Sequence, residues 1–194
     1  PSPSATIGVT VVTTYVGGTA QPATTTYTLT PRQRQDIDVN AGHPSDATGA
    51  SIRITGGYSR LESIDPTRGD STVETPAGSA NKSWAFSDGF LDRNTAGTVG
   101  FETIGIYNAS SQAQNVQIKY LFNDGTTQVR NVFFAAHTAN QIRLDHDPLV
   151  TQHANLNFFS VVVSANFAIV ASMTHWDLFQ GGGWASLGTP LGAT

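Results

Sequence analysis

One stretch of this chain occurs twice, and that constrains its fold more than any other feature. Val9, Val11, Thr13 and Tyr15 alternate with a second set of residues and run into Gly17-Gly18. Val116, Ile118, Tyr120 and Phe122 alternate in the same way and run into Asp124-Gly125. The two segments align without a gap, Gly18 on Gly125. A period of two places each set on one face of a strand, and a Gly-rich pair after it signals a hairpin. The match continues: Leu29-Thr30-Pro31 with Phe134-Ala135-Ala136, Ile52 and Ile54 with Val161 and Val163, and Tyr58, Leu61 and Ile64 with Phe167, Val170 and Met173. A period of roughly 105–109 residues is too long for a solenoid and suits a β-sandwich domain. The expectation is therefore an all-β chain of two related antiparallel β-sandwich units of immunoglobulin or fibronectin type in tandem. The first spans residues 1–78 and the second 79–194. Only the second has a block, 84–108, ahead of its repeated strand.

Composition agrees. Charged residues are 12% of the chain, half of the usual ~25%, and 25 Thr and 16 Ser take their place. Thr suits the solvent face of a pleated strand. Lysine occurs only at positions 82 and 119, and the net charge is −4, so the basic stripe that a nucleic-acid partner needs is missing. With no cysteine, disulfides and thiolate metal sites are excluded. The longest apolar run, 158–173, carries Ser160, Ser164, Asn166 and Ser172 and is short of the ~18–20 residues of a membrane span. It reads as a hairpin, 158–163 and 167–173 around a turn at 164–166. A Thr-, Gly- and Asn-rich chain poor in Lys points to an extracellular or cell-surface location.

The motifs Trp84-x-Phe86-x-Asp88-Gly89, Ile106-Tyr107-Asn108, Tyr120-Leu121-x-x-Asp124-Gly125 and a closing Gly181-Gly182 resemble those of tandem β-sandwich repeats in large bacterial surface and secreted proteins. The resemblance covers 84–188 well and 7–64 more loosely, and it departs where Asn108-Ala109 stands in place of Asn-Pro. It implies a non-enzymatic extracytoplasmic module.

Few residues suggest chemistry. Asp36 and Asp38 flank Ile37, so both point away from the core, and Gln141 and Arg143 stand at the matching places. They are solvent-facing carboxylates, and no catalytic residue is expected. Asp145, His146, Asp147 and His153 combine carboxylate and imidazole in loops, a set able to hold calcium or zinc if the loops converge; the simpler reading is turn chemistry, so no metal and no cofactor is expected, calcium being the one to consider. Trp176, Trp184 and Phe179 bracket the end of the second unit, where exposed rings would stack on a sugar. The function expected is a structural or adhesive module, self-associating or joined to neighbouring domains by strand addition. The alternative is a carbohydrate-binding module with polysaccharide as its partner.

Overall fold

The computed structural model describes residues 4–16, 19–39, 41, 44–47, 49–56, 59, 61–65, 70–74, 77–91, 101–153, 158–177 and 182–192. The chain divides into two compact units, Pro1–Arg60 and Leu61–Thr194.

The first unit holds a three-stranded antiparallel sheet. Strand β1 (Ile7–Val16) lies between β2 (Ala23–Leu29) and β3 (Gly49–Thr55). Its alternation places Val9 and Val11 on the buried face, as period two requires.

The second unit contains β4 (Leu61–Asp65) and β5 (Asp70–Glu74), which pair with each other, and then a larger assembly. That assembly comprises β6 (Asn81–Phe90), β7 (Phe101–Asn108), β8 (Gln114–Phe122), β9 (Thr127–Phe134), β10 (Ala139–Arg143), β11 (Phe158–Asp177), β12 (Gly182–Leu187) and β13 (Thr189–Pro190). A one-turn helix, α1 (Pro148–Thr151), follows β10 after a 3-10 turn at Leu144–His146. The order of the pairs resolves into two layers. One is β9-β8-β11-β6-β13 and the other β10-β7-β11-β12. Strand β11 belongs to both: residues 158–165 pair with β6 and β8, and residues 169–176 with β7. Between the layers lie the inward residues of the longer strands, among them Trp84, Phe86, Ile104, Ile106, Val116, Ile118, Tyr120, Val161, Val163, Ile169 and Met173. This is an antiparallel β-sandwich, the class that the alternation predicts.

The expected hairpin within 158–173 is instead one 20-residue strand. Its polar interruptions mark a bend, not a reversal. The ladder to β6 changes register between Ser164 and Ile169. There the Phe167 amide donates to Gln114 Oε1 at 2.7 Å, and Gln114 Nε2 donates to the Phe167 carbonyl at 3.3 Å. Gln114 Nε2 also donates to Asn108 Oδ1 at 2.9 Å, and Asn108 Nδ2 donates to the carbonyls of Gln112 and Ala135, both at 2.8 Å. The Gln114 amide thus supplies partners for Phe167 at the bend, where unpaired backbone groups would be costly, and Asn108 holds Gln114 in place.

The two units share a register. In the first, Val11 pairs with Ile54, Thr13 with Ile52 and Ile7 with Leu29. In the second, Ile118 pairs with Val163, Tyr120 with Val161 and Gln114 with Phe134. Each second-unit pair joins residues standing 107, 109 or 105 positions beyond their first-unit counterparts. These are the offsets of the sequence match.

Candidate functional site

The His/Asp residues after β10 do not converge. Asp147 is buried at 2% exposure, where it accepts the Tyr120 hydroxyl at 2.6 Å, Arg130 Nη1 at 2.9 Å and the Leu149 amide at 3.0 Å. It therefore caps α1 and ties that helix to β8 and β9. Burial, and then acceptance of its proton by Asp147, pushes the Tyr120 hydroxyl well above the usual phenol range. Asp145 pairs with Arg143, whose Nε donates to Oδ1 at 2.7 Å. This hydrogen bond raises the Arg143 pKa further. His146 is exposed, 3.4 Å from Asp145. His153 turns to the β8–β9 hairpin instead: its Nε2 is 2.7 Å from Thr126 Oγ1 and 3.6 Å from Asp124, and its ring lies 4.1 Å from that of Phe122. The Thr126 hydroxyl and amide bonds hold the Asp124 carboxyl below the usual range. A shallow groove runs past His153, Gln128, Pro148, Leu149 and Gln152. Among the described residues no three His, Asp or Glu side chains are grouped to hold a metal ion.

The tryptophans do not line up as a platform among the described residues. Trp176 is 9% exposed. Trp184 is half-buried against the core and stacks on His175, with ring centroids 5.8 Å apart and planes 15° from parallel. Gly183 makes this approach feasible, because a Cβ there would stand 2.6 Å from the His175 carbonyl oxygen and 2.7 Å from the Trp176 ring. Phe179 lies outside the described residues.

Beside His175 sits a group that sequence reasoning passed over. Glu102, on β7, is fully buried, accepts the Phe90 amide at 3.0 and 3.2 Å, and lies 3.9 Å from His175 Nδ1. Burial is the main cause that raises its pKa from 4.5 to about 9, opposed by the Phe90 amide and reinforced by Asp88 and Asp145. Its signal in the sequence was a carboxylate at an inward position, in phase with Ile104 and Ile106.

The remaining feature is a sheet face. The outward residues of β9, β8 and β11 in the first layer include Val129 at 44% exposure, Phe133 at 65% and Phe158 at 56%. Leu121 and Val162, both half-buried, lie between them. Lys119 stands in the middle, its neighbours across the strands being Val129 and Val162. Exposed apolar residues gathered on one face mark contact surfaces in soluble domains.

Comparison with known proteins bears on what such a surface does. The model of the family described as Anabaena sensory rhodopsin transducer matches residues 79–186, more than half of the chain. The chain belongs to this transducer family. Among solved structures, Thermotoga maritima 1070 is 20% identical, with 59% of this chain and 98% of that chain covered and a TM-score of 0.49. The Anabaena sensory rhodopsin transducer itself is 20% identical, with 50% and 99% covered and a TM-score of 0.43. No curated protein sequence matches the chain.

Membership of the transducer family corrects the functional expectations. It describes signalling, and it overturns both the structural or adhesive surface module and the carbohydrate-binding module. The β-sandwich of the suggested likeness stands, whereas its link to tandem repeats of surface proteins finds no support, nor do polysaccharide and self-association as partners. The physical reason is that Trp84 and Phe86 of the Trp-x-Phe motif and Tyr120 of the Tyr-Leu motif are inward core positions here, all three being buried. Any sandwich needs such positions, so they report the fold and leave its use open. The transducer family is not a family of enzymes.

Proposed function

We propose that this chain is a signalling component whose second unit meets a membrane-embedded sensory rhodopsin and relays its state. The observation that carries this reading is the extent of the family match. Residues 79–186 take in β6 through β11 and all but the last residue of β12, which is nearly the whole two-layer sandwich. A transducer must offer a surface to its receptor, and the surface available is a sheet face on a rigid scaffold. Among the described residues no helix is long and apolar enough to cross a membrane. The buried polar groups of the second unit support the same reading. Asp147 and Asp145 are each engaged by an arginine, an arrangement that stiffens a scaffold.

The test is a titration of the intact chain against lipid nanodiscs that hold the Anabaena sensory rhodopsin, with receptor-free discs of the same lipids as reference. Saturable binding to the receptor discs alone is the expected result. Equal signals from both discs, or none from either, would remove the transducer reading.

A further inference from the structure

We propose that the outward face of β9, β8 and β11 is the receptor-docking surface, and that its occupant is a protein segment carrying apolar anchors and a carboxylate placed opposite Lys119. This rests on the transducer reading above.

The first unit provides an internal comparison. Its β2, β1 and β3 have the same order and register as β9, β8 and β11, so each outward residue has a counterpart. On the inward face the counterparts agree over the first half of the strand, Val9 with Val116 and Val11 with Ile118, all four buried; beyond it burial in β1 passes to Thr14 and Val16, while β8 keeps Tyr120 and Phe122 inward. On the outward face they do not. Where the second unit has Val129 and Phe133, the first has Thr24 and Thr28, both exposed. The central row reads Val129, Lys119, Val162 in one unit and Thr24, Val12, Arg53 in the other. The apolar and charged positions have exchanged places. The outer strand β2 therefore pairs in this register without outward apolar residues. Those of the second unit, whose burial would add stability only against a partner, are not required by the fold.

The charge selects the partner. Lys119 is half-buried among valines, and no ion pair among the described residues includes it. An ammonium in such a row loses hydration when the face is covered, and this is tolerated only if the incoming surface supplies a carboxylate. A basic or purely aliphatic partner would leave it uncompensated. Among the described residues β9 pairs in the sheet only with β8, and α1 stands beside it through the Arg130–Asp147 bond.

Three variants of the intact chain test this: Val129→Thr with Phe133→Thr, which installs the first unit's residues; Lys119→Glu; and Arg53→Glu, which changes the matching face of the first unit. Melting temperatures equal to wild type certify folding, since all the altered side chains are exposed or half-buried. On discs holding the Anabaena sensory rhodopsin, the first two variants should each bind at least about tenfold more weakly, and Arg53→Glu should bind as wild type does. If wild type binds and all three variants match it, the surface assignment is wrong and the transducer reading stands. If wild type does not bind the receptor discs, both fall. Equal loss on receptor-free discs would make lipid the occupant and overturn the proposal. So would sedimentation showing a wild-type oligomer that the Thr variant dissolves, because the face would then belong to a second copy.

Discussion

Glu102 is the residue whose behaviour departs furthest from its free chemistry. Its carboxyl holds a proton in the folded chain up to about pH 9 and releases it near 4.5 when unfolded. The folded state therefore binds more protons throughout that window, and stability falls as pH rises from 4.5 to 9, by at most about 1.4 kcal/mol per unit. Glu102→Gln should flatten this slope and be the more stable protein at pH 8, as measured by urea unfolding at pH 5, 7 and 9. Asp147 is engaged from three sides. Asp147→Ala should cost about 2–4 kcal/mol by removing the α1 cap and leaving Tyr120 and Arg130 without their acceptor, whereas Tyr120→Phe should cost about 1 kcal/mol. Thermal melts of the two variants compare these directly. The contrast also shows what was legible in the sequence. Asp147 was visible as a polar residue before a proline, but its partners Tyr120 and Arg130 lie 27 and 17 residues earlier, and only the fold brings them together. The sequence offers these residues as a ligand set only on the condition that the loops converge, because spacing along the chain carries no information about which way the loops turn.

Elements were more legible than sites. The alternation of β8, the Asp124-Gly125 turn and the alternation of β7 are local signals, and each strand stands where they place it. Strand β11 was misread because Ser164 and Asn166 carry the same local signature whether the chain reverses or bends. The deciding interaction is non-local: Gln114, some 53 residues away, bonds both backbone groups of Phe167. Gln114→Ala should accordingly cost about 1–3 kcal/mol and raise amide exchange at Phe167 and its neighbours while leaving 158–163 protected. Hydrogen exchange followed by NMR would read both parts of that outcome.

For the molecule as a whole, the core cluster draws all its buried residues from the stretch between Trp84 and Met173. Residues 61–194 should therefore fold without the first unit, with a calorimetric transition within about 5 °C of the corresponding one in the intact chain. The role in signalling was the least legible level. The core motifs that dominate the sequence serve the sandwich, and a docking face announces itself only as outward apolar residues, which a single strand read alone cannot separate from ordinary exposed ones.

Strand β11 gives the sandwich a particular kind of indivisibility. Because one continuous segment is a member of both layers, neither layer can be lifted away while the other keeps its full complement of strands. A chain break within 158–177 would injure both layers together, whereas a break between β9 and β10 separates strands that never pair. Two-fragment reassembly should succeed when the protein is divided near Ala136 and fail when it is divided at Asn166. A displacement imposed on one layer meets no seam at which it could be absorbed before reaching the other.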